Sequence, residues 1–277
     1  MEYSSDAGDL PSRAERKAGV LVVPTDFSPE SDYALQHAVL VAQQSRKRIA
    51  LVHVVKSPDD VAAAEEHMQE QLGRVEHEGV EIASRTMEGE LAPAVVRVAE
   101  EVRANYVVIG THSLKRPGLL KQSCTMKILR MGNTPYVTVQ EPPRHDRIDR
   151  VVFPIDYTDE NRPKYEWLEE LNREFTPLFQ LVTQAVNEAQ LLERVEANLE
   201  RAIEFIERIG GRYSTFELEG KDEFAQEIID YTHEQEADLL VICSMKDPRQ
   251  EGFYLLEPHE RNLVVGGRQT PVMIINP

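Results

Sequence analysis

The chain carries the same pattern of apolar segments twice, with a period of about 130 residues. The matched pairs are residues 22–26 (VVPTD) and 152–156 (VFPID), 104–109 (ANYVVI) and 237–242 (ADLLVI), and 134–139 (TPYVTV) and 270–275 (TPVMII). A period of this length is too long for a solenoid repeat and is typical of a duplicated domain. The sequence therefore predicts two similar domains in tandem.

Each repeat alternates short apolar runs with helical patterns. In the first repeat the continuous runs are residues 20–24, 49–55, 106–109 and 136–139, and a weaker alternating run covers 80–87. Continuous apolar runs indicate strands that are buried on both faces. Strands separated by helices indicate a parallel sheet with right-handed crossovers. We therefore predict an α/β fold made of two five-stranded parallel-sheet units.

The domain boundaries are predicted from changes in composition. Residues 1–17 are polar and are expected to form a disordered tail. The first domain is predicted at residues 18–141 and the second at 149–277. Residues 142–148 between them are polar and begin with two prolines, which are typical of a stiff linker.

The overall composition argues against several partners and compartments. The formal net charge is -17, whereas a nucleic-acid-binding protein normally presents a basic face. No apolar run approaches the ~18–20 residues that span a bilayer, and the N-terminus lacks the apolar region of a secretory signal. The two cysteines, Cys124 and Cys243, fit a reducing compartment better than a disulfide scaffold. We expect a cytoplasmic protein that binds neither nucleic acid nor membrane.

The stretch that follows the fourth strand is the predicted binding site. Residues 106–139 indicate a buried strand, a loop led by Gly110, a helix that begins near Ser123, and a closing strand. In an open parallel sheet, ligands bind beyond the carboxyl ends of the strands, where helix N-termini attract anions. Lys115 and Arg116 add positive charge to this loop. If the chain binds a phosphate group, we expect it here.

Five segments of the first repeat together resemble the universal stress protein family. They are residues 23–28 (VPTDFS), 34–35 (AL), 51–54 (LVHV), 107–112 (VVIGTH) and 134–139 (TPYVTV). The first repeat resembles the family along its whole length, and the second resembles it only at its strands. The resemblance implies the strand order 3-2-1-4-5 in each repeat and two domains packed as a pseudo-dimer through their fifth strands. It also implies a stress-linked role. The partner would be an unidentified protein or a second copy of the chain in a homodimer.

The resemblance also implies a nucleotide-binding loop, which this chain retains only in part. Nucleotide-binding members carry Gly-x-x-Gly, nine residues, and then Gly-Ser or Gly-Thr. Gly110 matches the first glycine, Ser113 stands in place of the second, and Ser123-Cys124 replaces the final pair. A glycine in such a loop either adopts a positive φ or lets a phosphate approach the backbone, so the serines weaken the expected site. The hydroxyl of Thr111 and those of the two serines could donate hydrogen bonds instead.

The resemblance implies a set of nucleotide-contacting residues in the first domain. It places Pro24 and Asp26 beside the adenine and ribose, and Val54 against the base. The full set of candidates is Pro24, Thr25, Asp26, Val54, Gly110, Thr111, His112, Ser113, Lys115, Arg116, Ser123, Cys124 and Thr125. Asp26 has a second explanation as a turn former at a helix N-terminus, because Asp156 repeats it where no glycine loop follows.

The remaining candidates for chemistry are weak. The second-repeat loop begins at Cys243, lacks Gly-x-x-Gly and carries Glu251 and Glu257, so we expect no phosphate site there. His53 is expected to be a hydrogen-bonded core histidine rather than a metal ligand. Cys124 at a helix N-terminus could be reactive, although a plain small residue explains it more simply. The sequence contains no recognisable catalytic motif.

These observations predict a non-catalytic stress-response protein that acts through protein contacts. Its nucleotide site would be degenerate, and we expect neither a cofactor nor a metal ion. The alternative is an ATP-binding switch, with Mg²⁺, that uses the Gly110 loop and hydrolyses ATP slowly or not at all.

Overall fold

The structure of the chain is a computed structural model that describes residues 19–111, 124–132, 134–158, 162–251, 253–256, 258–266 and 270–276. The predicted tail, residues 1–17, and most of the predicted phosphate loop lie outside these residues. Within the described ranges, every helix is either too short or too polar to cross a bilayer. Residues 19–139 are called the first half below, and residues 150–276 the second half.

The first half alternates strands and helices as predicted. Its elements are β1 (Val20–Thr25), α1 (Pro29–Ser45), β2 (Arg48–Val55), a 3-10 turn (Pro58–Asp60), α2 (Val61–Arg74), β3 (Ile82–Glu88), α3 (Leu91–Val102), β4 (Tyr106–Gly110), α4 (Cys124–Leu129) and β5 (Tyr136–Val139). The start of α1 follows from its sequence, because Ser28 caps the helix, Pro29 occupies its first turn and two acidic residues complement its dipole.

The second half repeats this order and adds a small hairpin. Its elements are β6 (Arg150–Pro154), α5 (Arg162–Phe175), β7 (Leu178–Gln184), α6 (Ala189–Arg208), β8 (Arg212–Leu218), α7 (Phe224–Glu234), β9 (Leu239–Cys243), β10 (Met245–Lys246), β11 (Tyr254–Leu255), α8 (Pro258–Gly266) and β12 (Val272–Ile275). Residues 140–149, between the halves, lie in neither helix nor strand. The β10–β11 hairpin was not anticipated from the sequence.

One continuous sheet joins the two halves. Among the described residues, its strand order is β3-β2-β1-β4-β5-β12-β9-β6-β7-β8. Neighbouring strands are parallel within each half, whereas β5 and β12 pair antiparallel with Val137 opposite Met273. The predicted order 3-2-1-4-5 is therefore present twice, and the predicted pairing of the halves through their fifth strands is confirmed.

The core lies on both faces of this sheet and crosses the junction. On one face Val22 of β1 belongs to the same apolar cluster as Val272 of β12. On the other face Leu21 of β1 belongs to the same cluster as Met273 of β12. Burial on both faces is the reason that these strands are continuously apolar in sequence.

Candidate functional site

The predicted phosphate loop starts where β4 passes under the first turn of α1. A Cβ atom on Gly110 would lie 2.1 Å from the carbonyl oxygen of Glu30 and 2.8 Å from the backbone nitrogen of Ser31. Both distances are far inside van der Waals contact. The φ of Gly110 lies outside the left-handed region, so its conformation does not require glycine. The close approach of α1 therefore explains this glycine without any phosphate.

Asp26 forms a turn ahead of α1. Its Oδ1 atom accepts hydrogen bonds from the backbone N–H of Ser28, at 3.1 Å, and from the Ser28 hydroxyl. In the second half, Oδ1 of Asp156 accepts the backbone N–H of Thr158, at 2.8 Å, and the hydroxyl of that residue. The corresponding aspartates of the two repeats thus form the same local turn. Asp26 is also exposed at the carboxyl edge of the sheet. This geometry supports the turn-forming explanation that the repeat suggested.

Thr25 is directed into the interior beneath α1 and α2. Its buried hydroxyl donates to Oε1 of Gln71 at 2.8 Å and accepts the backbone N–H of Phe27 at 3.0 Å. The amide of Gln71 in turn donates to Oδ1 of Asp32 at 2.7 Å, and Arg74 forms an ion pair with that carboxylate at 3.1 Å. The network ties β1, α1 and α2 together and engages the hydroxyl of Thr25 within the interior.

The candidate residues of β1 and β2 fall on two faces of the sheet. Because side chains alternate along a strand, Pro24 lies on the face of Val52 and Val54, whereas Thr25 lies on the face of His53. Pro24 is buried, and Val54 is half-buried against the core on the α3 side. The structure therefore brings Pro24 and Val54 together and separates both from the hydroxyl of Thr25.

His53 is hydrogen-bonded, as its sequence position suggested, but it is half-buried rather than part of the core. Its Nδ1 atom lies 2.8 Å from the carbonyl oxygen of Thr25, and its ring stacks on Phe27 at 4.3 Å between centroids. In the described part of the chain, no three His, Cys, Asp or Glu side chains are grouped in a way that could hold a metal ion.

The loop itself is only partly described. Thr111 is buried, and both its backbone N–H, at 2.8 Å, and its hydroxyl, at 3.2 Å, donate to the carbonyl oxygen of Val139. Five predicted residues lie outside the described ranges, namely His112, Ser113, Lys115, Arg116 and Ser123. Cys124 and Thr125 open α4, and their side chains also lie outside the description.

In the second half, the position of this loop is taken by a hairpin that contacts the first half. Cys243 is buried at the end of β9, and two residues later β10 pairs antiparallel with β11. We call β10, β11 and the turn between them the clasp hairpin. The buried carboxylate of Asp247 in this hairpin accepts a hydrogen bond from Arg130 of the first half at 3.2 Å. Phe253 forms a β-bridge with Met131, also of the first half.

The second half also supplies hydrogen-bond donors to carbonyl groups at the C-terminal end of helix α4. The side-chain amide of Asn276 donates to the carbonyl oxygens of Leu129, at 3.1 Å, and Gly132, at 2.8 Å. The backbone N–H of Tyr254 donates to the carbonyl oxygen of Arg130 at 3.1 Å. The last carbonyls of a helix have no partner within it, and here residues of the other half supply the missing donors. The two halves are therefore interlocked beside the predicted loop.

A polar cavity of about 840 Å³ lies at the opposite edge of the sheet, by the amino ends of β1 and β2. Residues of both halves line it, including Lys47 from the α1–β2 turn and Glu174 from α5. These two side chains form a buried ion pair across 127 residues of sequence. Sequence reasoning missed this cluster, because no local pattern relates residues so far apart.

Comparison with known proteins identifies the family. The model of the universal stress protein family matches residues 19–140. A universal stress protein of Methanocaldococcus jannaschii is 30% identical over 141 residues, which covers 44% of this chain and 82% of that relative. The chain belongs to the universal stress protein family. The family resemblance that the sequence motifs carried is thereby confirmed.

Solved structures extend the similarity to both halves of this universal stress protein. A universal stress protein from Archaeoglobus fulgidus DSM 4304 has a TM-score of 0.70 at 14% identity, covering 94% of this chain and 99% of that one. A protein of unknown function from Pseudomonas aeruginosa PAO1 has a TM-score of 0.62 at 16% identity, covering 96% and 95%. These similarities concern the fold, and they include the tandem arrangement of the two halves.

Proposed function

We propose that this universal stress protein is a non-enzymatic stress-response regulator that acts through protein contacts. In this proposal the nucleotide site is degenerate in the first half and lost in the second. Family membership supports the stress-response role. The arrangement of the carboxyl edge supports the rest of the proposal, residue by residue.

The observation that carries the proposal is that Gly110 and Thr25, two candidate positions among the described residues, already have structural roles. Gly110 makes room for the backbone of α1 at Glu30, and Thr25 is bonded within the interior. In the second half, the chain after Cys243 forms the clasp hairpin, whose carboxylate Asp247 is bonded to Arg130. The hairpin occupies the place after β9 where a phosphate loop would begin, which disfavours a second nucleotide site.

The sheet also limits which surfaces remain for partners. The edges of β5 and β12 are paired with each other inside one chain. Among the described strands, β3 and β8 are the two at the ends of the sheet. A second copy of the chain or another protein would therefore have to use a surface other than the fifth strands.

Calorimetry with ATP and Mg²⁺ on the full chain tests the proposal. We expect no saturable heat up to millimolar ATP, and no phosphate release in a parallel hydrolysis assay. The alternative function, an ATP-binding switch, predicts saturable binding that weakens when Lys115 and Arg116 are both replaced by alanine. The matched control replaces Lys246 and Arg249 of the clasp hairpin by alanine, which removes the same amount of positive charge.

Binding that depends on Lys115 and Arg116 but not on the control pair would refute the degenerate site. Gly110 is a poor choice for this test, because its replacement is expected to disturb the packing of α1 whether or not a nucleotide binds.

A further inference from the structure

The strand β8 lies at the end of the sheet in the second half. In the described part of the chain it pairs with β7 alone, and the register runs one to one from Arg212 to Leu218 without a bulge. Four of its seven residues are exposed, whereas β3, at the other end of the sheet, has one exposed residue. Edge strands are commonly protected from pairing by proline, lysine or a bulge, and β8 (RYSTFEL) contains none of these. Its outer edge therefore suits pairing with a further strand.

The hydrogen bonds to β7 determine which backbone groups of β8 face outward. The carbonyl oxygen of Leu218 accepts the backbone N–H of Ala185, which directly follows β7. The N–H and C=O groups of one residue point to the same side of a strand, and that side alternates from one residue to the next. The even-numbered residues of β8 therefore direct their backbone groups toward β7. The backbone groups of Tyr213, Thr215 and Glu217 point to the outer edge.

These outward groups are complementary to those of a second β8. In an antiparallel pair with its two-fold axis at Thr215, this residue lies opposite its own mate, and Tyr213 lies opposite Glu217 of the second copy. Each opposed pair of outward-facing residues then exchanges two backbone hydrogen bonds, about six in all. A register moved by two residues in either direction loses one of these pairs. The register centred on Thr215, called the centred register, therefore matches the outward groups best.

The charges of β8 also fit the centred register. The strand carries two charged residues of opposite sign, Arg212 and Glu217. In this register they lie opposite Leu218 and Tyr213 of the second copy, respectively. Like charges directly opposite each other destabilise a pair of strands, and the centred register brings none together within β8.

An exposed aromatic side chain would be covered by the same pairing. Phe216 is 49% exposed and lies on the α7 side of β8, where its ring centroid is 4.8 Å from that of Tyr231. In the centred register Phe216 lies opposite Ser214 of the second copy and diagonally across from its own mate. Aromatic side chains in diagonal positions are within contact distance. Pairing would thus remove apolar surface of Phe216 from water.

We propose that two copies of this chain associate through β8, in an antiparallel pair centred on Thr215 that joins their sheets. The fifth strands are not available for this contact, because β5 and β12 are paired inside each chain. A second copy fits this edge because the backbone groups and charges of β8 are complementary to themselves. The dimer does not depend on nucleotide binding and goes beyond the proposed function.

Sedimentation equilibrium of the full chain measures the association. Each chain carries a formal net charge of -17, so about 0.5 M salt is used to screen the repulsion between two copies. We expect the average mass to rise with protein concentration from 31.5 kDa toward twice that value. A constant mass of one chain throughout the micromolar range would overturn the proposal.

Thr215→Pro tests the interface without removing a hydrogen bond to β7. Proline is tolerated in an edge strand where the lost N–H faces outward, as that of Thr215 does, so this variant should fold and stay monomeric. The matched control is Ser84→Pro in β3. The carbonyl oxygen of Glu81 accepts the N–H of Ile49 in β2, so by the same alternation the N–H of Ser84 faces outward. The control should dimerise as the wild type does.

Cysteine substitution tests the register itself. Opposed Cα atoms in a hydrogen-bonded antiparallel pair are about 5.5 Å apart, a distance that a disulfide can bridge. Thr215→Cys should therefore form a covalent dimer when oxidised by copper–phenanthroline in air, as measured on non-reducing gels. Glu217→Cys is the matched control, because its mate lies about 13 Å further along the paired strand. The wild type, with Cys124 and Cys243, gives the background.

Circular dichroism establishes that each variant is folded before it is compared. A dimer that persists in folded Thr215→Pro would assign the contact to another surface and overturn the proposal. Cross-linking of Thr215→Cys that does not exceed that of Glu217→Cys or of the wild type would also overturn it. Slow hydrogen exchange at the Thr215 amide in a monomeric wild type would assign this edge to another segment of the same chain instead.

Discussion

Replacing Gly110 by alanine separates the structural explanation of this glycine from the nucleotide explanation. The added methyl group would lie 2.1 Å from the carbonyl oxygen of Glu30. Contact requires roughly 3.5 Å, so the first turn of α1 would have to move by more than ~1 Å. Overpacking costs about 1–3 kcal/mol and occasionally more. The atoms that must give way are backbone rather than flexible side chain, so we expect a loss of unfolding free energy of about 3 kcal/mol.

Urea unfolding followed by circular dichroism measures this loss, and Gly73→Ala is its matched control. Gly73 lies in the last turn of α2, and a Cβ atom there would meet nothing within 4 Å. Alanine at this position should stabilise the chain by up to about 0.8 kcal/mol through helix propensity. The same substitution is thus expected to lower the free energy of unfolding at Gly110 and to raise it at Gly73. A Gly110→Ala protein within about 0.5 kcal/mol of the wild type would refute the packing argument.

Three further predictions concern the contacts described above. Asn276→Ala leaves two carbonyls near the end of α4 without their donor and should lower the free energy of unfolding by about 1–3 kcal/mol, measured in urea. Thr25→Val leaves Oε1 of Gln71 without its donor and should cost about 1–3 kcal/mol in the same assay, and an unchanged midpoint would contradict the network. Burial raises the pKa of Glu174 to about 7 in the folded chain, against an ordinary 4.5, so its stabilising contribution is complete below pH 4.5 and lost as pH rises through 7. The unfolding free energy should therefore fall by at most about 3 kcal/mol across that range, and this slope should flatten in Glu174→Gln, which removes the titrating group.

The fold was largely predictable, because it depends on local patterns and on a repeat. Four continuous apolar runs and one weaker alternating run identified the five strands of the first half, and the repeat placed counterparts of β1, β4 and β5 in the second. Helix α5 follows the turn at Asp156 and Thr158, and its buried residues Leu168, Leu171 and Phe175 have helical spacing. The clasp hairpin was not predictable, because its two strands contain only two residues each and depend on contacts with the first half.

The location of the candidate site at the carboxyl edge beyond β1 and β4 stays a prediction from the motifs. The repeat suggested that Asp26 forms a turn, and the structure shows that turn. The motifs did not show that the side chains of Pro24 and Thr25 lie on opposite faces of the sheet, which follows from the register of β1 and β2. The roles of Lys115 and Arg116 remain predictions.

The sequence by itself determined that this chain is a duplicated α/β protein of the universal stress family, since apolar periodicity and repeated motifs are local properties. Only the tertiary structure decided why Gly110 is a glycine, how Asn276 completes α4, and that Lys47 meets Glu174. Each of these depends on the approach of segments 79 to 147 residues apart in the chain. Such contacts arise from the packing of whole helices on the sheet, and no short-range pattern in the sequence encodes them.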